Sequence, residues 1–204
     1  IKLAQDSSTT KFNATVELHV KLGVDPRQAD QNIRGTVSLP AGTGKEITVA
    51  AFVDADAVKS AKEAGASIAG AEDLLEQLDK GNISFDTLIT TPSMMPKLGK
   101  YAKILGPKGL MPNPKSGTVT KNITAAIKEA KAGKVEYRVD STGIIHLGVG
   151  KVKFTEQQLD ENIKTVLAAI RSAKPASIKG SYIQSIFLAT SMGPSVKIST
   201  TELS

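Results

Sequence analysis

The sequence predicts a chain of mixed α/β and α+β character: antiparallel α+β segments at both ends and a parallel-sheet α/β segment between them. Three observations predict it. Strict apolar–polar alternation runs from Phe12 to Leu22. Strand-like and helix-like stretches then take turns over about 90 residues. After Gly133 the alternation of an antiparallel sheet returns. A chain of 204 residues can bury a substantial core as one large domain or two small ones. One explanation for two ends that look alike around a different middle is a discontinuous domain, 1–41 with 134–204, interrupted by an inserted domain, 42–133. An insertion needs two crossings side by side, and glycines occur at both, in Pro40-Ala41-Gly42-Thr43-Gly44 and at Gly133.

In the first segment Phe12, Ala14, Val16, Leu18, Val20 and Leu22 share one parity, and Lys11, Asn13, Thr15, Glu17, His19 and Lys21 the other. That is a strand with one buried face. Asp25-Pro26 offers an N-cap and a first-turn proline for a short helix through Ile33. Gly35 to Leu39 reads as a strand. In the middle, Ile47 to Val53 is a nearly continuous apolar run, as in a strand covered on both faces. A helix over 54–64, a short strand over 67–69, a helix over 71–80 and a strand over 85–90 follow, giving a parallel, Rossmann-like unit. Ser93 is placed to cap a helix through Lys103, and Asn122 one that stops at Gly133. Beyond it, 135–139 and 145–149 alternate around Asp140-Ser141-Thr142-Gly143 and predict a hairpin. Thr155 and Gln158 form a capping-box pair ahead of Leu159, Ile163, Val166, Leu167 and Ile170 on one helical face. Strands over 181–190 and 196–199 flank Met192-Gly193-Pro194.

Composition narrows the chemistry. There is no cysteine, which removes disulfides, thiolate metal sites and cysteine nucleophiles together. Aromatic residues make up only 4% with no tryptophan, which disfavours an aromatic-lined small-molecule pocket. No apolar run approaches the ~20 residues that span a bilayer. The first residue is isoleucine and no signal-peptide pattern follows, so the expectation is that the true N-terminus is missing. Nucleotide-binding motifs fail on inspection. Lys115-Ser116 follows Pro114, which has no amide hydrogen for a phosphate. Gly148 and Gly150 begin a dinucleotide-like spacing, but Lys153 stands where the third glycine belongs. His19 and His146 each fall inside a strand, with no carboxylate cluster for a metal. Neither a catalytic set nor a cofactor or metal is expected.

Charge is segregated. Residues 42–96 carry four lysines against nine acids, or −5, and residues 97–133 eight lysines against one acid, or +7. Within the latter, KLGKYAKILGPKGLMPNPKSGTVTK (97–121) holds six lysines, four glycines, three prolines and no carboxylate. The breakers predict an ordered loop, pinned by Ile104, Leu105, Leu110 and Met111, whose cationic surface suits a polyanion. The polar face of the first strand offers Lys11, Thr15, Glu17, His19 and Lys21 about 7 Å apart for phosphate, ribose or base edges. A solvated sheet face has the same pattern. The turn Ser191-Met192-Gly193-Pro194 joins a hydroxyl, a flexible apolar chain and a residue without Cβ, as an ordinary hairpin turn also can.

The run ILGPKGLMPNPKSGTV resembles the signature of the family of large-subunit ribosomal proteins of the mobile stalk, numbered one in the bacterial series. KFNATVELHVKLGVDPRQADQNIRGTVSLP from Lys11 and TSMGPSVKI from Thr190 are similar to the same family, in order, over nearly the whole chain. The resemblance implies the split architecture, with the interrupted domain binding large-subunit ribosomal RNA. The implied contacts are Lys11, Phe12, Thr15 and Glu17, then Asp140, then Ser185, Met192 and Gly193. Ser191 stands where the family commonly has threonine, which keeps the hydroxyl and loses a methyl. Phe12 shares the buried parity of its strand, so contact from it requires an exposed strand end. Lys103, Lys108 and Lys115 of the inserted domain are expected to form a secondary, electrostatic surface. The resemblance further implies exit-site transfer RNA and the protein's own messenger as partners, no membrane or small-molecule substrate, no enzymatic role, and a place on the ribosome of the cytoplasm or an organelle.

Overall fold

The computed structural model describes residues 1–79, 81, 83–178 and 180–199, with the side chains of Ala29 and Lys115 excepted. Lys80, the expected last residue of a helix, lies outside the described residues. In chain order the elements are α1 (Lys2–Asp6), β1 (Thr15–Leu22), β2 (Arg34–Ser38), β3 (Val49–Phe52), α2 (Ala55–Glu63), β4 (Ile68–Ala69), α3 (Glu72–Asp79), β5 (Thr87–Thr90), α4 (Met95–Leu98), α5 (Ala102–Leu105), α6 (Ile123–Lys131), β6 (Lys134–Arg138), β7 (Ile144–Lys151), α7 (Glu156–Ser172), β8 (Ile183–Thr190) and β9 (Ser195–Ile198). Among the described residues no helix is long and apolar enough to cross a membrane. The chain divides into two compact units: Ile1–Lys45 with the segment from Gly133 onward, and Glu46–Ala132.

The discontinuous unit carries a four-stranded antiparallel sheet in the order β7-β1-β8-β9 and a two-stranded antiparallel sheet of β2 with β6. Alternation along β1 buries Val16, Leu18, Val20 and Leu22, as its sequence requires. They pack with Ile145, Leu147 and Val149 of β7, Ile186 and Leu188 of β8, and Leu159, Ile163, Val166, Leu167 and Ile170 of α7. The start of α7 is fixed by its capping box: Gln158 N–H donates to Thr155 Oγ1 at 3.3 Å, and Thr155 N–H to Gln158 Oε1 at 3.0 Å. Asn162, wholly buried on α7, holds the first crossing in place. Its amide donates to Gly42 O at 3.0 Å and Val149 O at 2.7 Å, and its Oδ1 accepts from Ala41 N–H at 3.1 Å. The second crossing lies beside the first, with Leu39 N–H donating to Gly133 O at 3.1 Å. Gly133 has φ +97° and a Cβ there would meet Gly42 Cα at 2.8 Å, so only glycine lets the two strands of chain pass.

In the middle unit the parallel order is β4-β3-β5. All four residues of β3 are buried because the strand is covered on both faces. Val49 and Ala51 pack with Ile123 and Ile127 of α6, and Ala50 and Phe52 with Leu74 and Leu78 of α3 and with Leu98 and Leu105. Asn122 caps α6, its Oδ1 accepting from Ala125 N–H at 3.4 Å.

Four local expectations are corrected. The hairpin of 135–139 with 145–149 does not form: β6 pairs along its length with β2, β7 pairs with β1, and only Val139 bridges to Ile145. The Asp140 turn instead passes the chain from one sheet to the other. The helix expected from Asp25 to Ile33 is reduced to a 3-10 turn, Ala29–Gln31. Polar side chains close local turns there, with Arg27 N–H donating to Asp25 Oδ1 at 3.1 Å and Asp25 N–H to Gln31 Oε1 at 2.8 Å. Ser93 does not cap a helix running to Lys103. The segment breaks into α4, a 3-10 turn Gly99–Tyr101 and α5, and Ser93 Oγ instead meets Thr91 Oγ1 at 3.0 Å. Finally, Ile104 is exposed rather than pinning the basic segment, and its neighbour Leu105 takes the fully buried position in the core.

Candidate nucleic-acid interface

With α7 packed on one face of the four-stranded sheet, the other face of that unit carries the polar residues of β1. Thr15, Glu17, His19 and Lys21 are all partly exposed there. In register beside them stand Lys151, Gly148, His146 and Ile144 on β7, and Ala189, Phe187 and Ser185 on β8. The eight residues of β1 give the face a length of roughly 23 Å.

One end of the face is the β8–β9 turn. Thr15 and Ser191, distant in sequence, are joined by two hydrogen bonds: Ser191 N–H donates to Thr15 O at 3.0 Å and Thr15 N–H to Ser191 Oγ at 3.3 Å. Lys151 Nζ donates to Thr15 Oγ1 at 2.8 Å. A bulge at Val149 re-aims β7 here, since Val16 pairs with Gly150 and Glu17 with Gly148. At the tip Met192 is 87% exposed with φ +66°, the left-handed region that side chains other than glycine rarely adopt. Gly193 closes the turn, its N–H donating to Thr190 O at 2.8 Å, and a Cβ there would sit 2.1 Å from Thr190 Oγ1. Phe12 lies before the start of β1 and is 60% exposed, so the buried parity it shares in sequence does not apply to it. Lys11 beside it is exposed.

The other end is built on Asp140. Its Oδ1 accepts from Thr142 N–H and Ile144 N–H, both at 2.8 Å, and from Thr142 Oγ1 at 2.7 Å, while Oδ2 faces His146 Nε2 at 3.4 Å. Burial alone would raise its pKa. The donors from Ile144, Thr142 and His146 outweigh that and hold the carboxyl well below the usual carboxylate range. Lys21 Nζ donates to Thr142 O, and Ser185 pairs with Lys21 across β8. The face thus collects Thr15, Ser191, Met192 and Gly193 at one end and Asp140 and Ser185 at the other, with Glu17 between, while Lys11 and Phe12 stand exposed on the segment leading into β1.

The middle of the face holds what sequence reasoning did not bring together. His19 Nδ1 and His146 Nδ1 are 2.8 Å apart and the rings meet edge to face at 5.0 Å between centroids. Burial first, and the neighbouring His146 second, lower the pKa of His19 against the opposing pull of Glu17, whose Oε2 is 3.9 Å from His19 Nε2. Phe187 is the other. Period two along β8 puts it with Ser185 and Ala189, opposite buried Ile186 and Leu188. An aromatic residue on the polar parity of a strand was the signal that could have found it.

The lysine-rich segment of the middle unit is built differently. Leu98 and Leu105 anchor its first half in the core. A knot around Asn113 closes the second: Asn113 N–H donates to Thr118 Oγ1 at 2.8 Å and Ser116 Oγ to Asn113 O at 2.9 Å. Lys97, Lys100, Lys103, Lys108 and Lys121 are all exposed. The side chain of Lys115 lies outside the described residues.

The chain matches the ribosomal protein L1p/L10e family over residues 4–194. It is 48% identical over 203 residues to the large ribosomal subunit protein uL1 of Prochlorococcus marinus strain NATL1A, across 100% of this chain and 86% of that protein. The corresponding protein of strain NATL2A is similar to the same extent. The chain belongs to the ribosomal protein L1p/L10e family.

Proposed function

We propose, with that family membership as premise, that the protein is a constituent of the large ribosomal subunit and binds its RNA through the open face of the four-stranded sheet. One observation carries the reading. Met192 holds a large apolar side chain almost fully in solvent on a left-handed backbone. For a side chain other than glycine that conformation costs about 1–2 kcal/mol, and fold stability alone gives no return for it. A ribose or base laid against the thioether gives the side chain a partner, and Gly193 beside it, with no room for a Cβ over Thr190, fixes the turn that presents it. Around it Thr15, Ser191, Glu17, Asp140 and Ser185 supply hydroxyl and carboxylate groups for ribose hydroxyls and base edges, and Lys11 a phosphate contact. The test is Met192→Ala, which should weaken binding to the stalk segment of large-subunit RNA by about 1–3 kcal/mol with the circular dichroism unchanged. Unchanged affinity would reduce the turn to a structural element.

The same face serves the finer roles the family resemblance implies. The protein's own messenger, its translation repressed when the protein binds it through this face, would compete with ribosomal RNA for one site, so each RNA should displace the other in a filter-binding competition. Exit-site transfer RNA would be met by the assembled stalk, and protection of transfer RNA on reconstituted subunits with and without the protein measures that. A free RNA-binding regulator is separated from a ribosomal constituent by whether the protein co-sediments with large subunits.

A further inference from the structure

The middle of the sheet face carries a row that none of the contacts implied by the family resemblance occupies, and of which the polar face of β1 offered only His19. His146 pairs with His19, His19 with Phe187, and Phe187 with Lys197, so four side chains cross β7, β1, β8 and β9 in one line. At the usual strand spacing the row is about 14 Å long. Three of its members are rings and the fourth is an exposed cation. Phe187 is only partly buried and does not pack against the unit's hydrophobic core, although Phe154, Tyr137 and Tyr182 of the same unit do. The adjacent row is low: Gly148, Ala189 and Ser195 surround the single long side chain of Glu17. A ridge of rings beside a shallow trough is thereby set between the turn of Met192 and the turn of Asp140.

We infer that this row is a stacking platform for an unpaired nucleotide, with a base on Phe187 and His19 and its phosphate toward Lys197. The inference rests on the proposed RNA-binding role of the face and adds to it the site and the state of the RNA. Three features commit it to a nucleotide. The row is continuous on both sides with the polar groups that face is proposed to use. Phe187 and the histidine pair offer planar surfaces, and every base has a complementary one. Lys197 ends the row on β9, the last strand of the sheet, where a phosphate of a strand crossing the sheet falls. Duplex RNA hides its base faces, so the partner must be a loop, bulge or splayed nucleotide.

The experiment uses the whole protein and the stalk segment of large-subunit RNA. Phe187→Leu keeps an apolar side chain of similar bulk and removes the ring, whereas Phe187→Tyr keeps the ring. The leucine variant should bind about tenfold or more weakly and the tyrosine variant within about twofold of the parent, with melting temperatures unchanged. Ultraviolet crosslinking of the unaltered protein should join the peptide bearing Phe187 to an unpaired nucleotide, a result that does not depend on how the variants fold. If the leucine variant binds normally and no crosslink falls on β8 while Met192→Ala still weakens binding, the platform is overturned and the RNA-binding face stands. If the unaltered protein does not bind this RNA at all, the proposed function fails and the platform with it.

Discussion

Two surfaces of this molecule are candidates for RNA, and they are made in opposite ways. The sheet face mixes Lys21, Lys151 and Lys197 with Glu17 and Asp140, and most of its polar groups are held by cross-strand pairing or hydrogen bonds: Thr15 to Ser191 and Lys151, Asp140 to Thr142 and Ile144, His19 to His146. The segment 97–121 of the middle unit has six lysines and no acid, and five of those lysines stand exposed on short helices and turns. Charge density, the loudest feature of the sequence, therefore marks the surface suited to attract any polyanion. Fixed geometry with mixed chemistry marks the surface suited to read one RNA. The proposed function gives specific recognition to the first and electrostatic support to the second.

The sharpest way to break the comparison is to spoil the geometry without touching a charge. Gly193→Ala puts a methyl group against Thr190 Oγ1, an atom that is buried and makes no hydrogen bond. It should destabilise the protein by about 1–3 kcal/mol in urea denaturation and lower RNA affinity further than Met192→Ala does. Adding Thr190→Ala removes the obstructing hydroxyl and should restore much of the stability, because no hydrogen bond is lost with it. Retained affinity in the single variant would show that the turn's shape is irrelevant to binding.

Asp140 comes next. Its carboxyl is held below the ordinary value of 3.8, so its contribution is complete above that value and is lost as pH falls through the lower, folded value. Asp140→Asn should cost about 1–2 kcal/mol at pH 7 and flatten the acid side of the stability curve, measured by thermal melting between pH 7 and pH 2. An unflattened curve would place the acid sensitivity elsewhere. The histidine pair gives a smaller effect. His19 is held below its ordinary 6.5, so the folded state binds fewer protons than the unfolded chain in the window below that value. Stability from this source is full above 6.5 and falls as the pH drops. His19→Gln should therefore lose less melting temperature than the parent between pH 7.5 and pH 5.5. The smallest expected change in specific binding comes from the loudest charges: Lys103→Gln with Lys108→Gln should leave cognate affinity at moderate salt nearly unaltered. Non-specific RNA binding should meanwhile lose up to ~0.7–0.9 of its logarithmic salt slope per phosphate contact removed.

What could be read from the sequence, and what could not, follows the range of the forces involved. The alternation of β1, the buried run of β3, the capping box of α7 and the Asn122 cap are written in neighbouring residues and formed as expected. Strand partners are not. Alternation in 135–139 and 145–149 fixes which side chains face inward but not which strand lies alongside, and both segments pair with the N-terminal part of the chain instead of each other. Local signals also overreach where tertiary packing competes. Asp25-Pro26 makes only turns, and the segment after Ser93 breaks into three short helical pieces, from which Met94, Leu98 and Leu105 all reach one core. At the candidate site the sequence suggested Thr15 and Ser191 separately, and only the fold shows that they bond each other. The histidine pair and the Phe187 row are cross-strand arrangements, and no window along the chain contains them.

The assignment of specific recognition to the discontinuous unit can be put to one direct measurement. A chain joining residues 1–41 directly to residues 134–204 removes the middle unit and all the lysines of 97–121. The splice is short because the crossings adjoin, Leu39 N–H donating to Gly133 O at 3.1 Å, so loop closure adds little cost. This chain, shown to be folded by circular dichroism, is titrated with the stalk segment of large-subunit RNA at moderate salt. The expected result is affinity within about tenfold of the intact protein, with a shallower salt dependence. A folded chain that fails to bind would place the specific site in the middle unit and contradict the assignment.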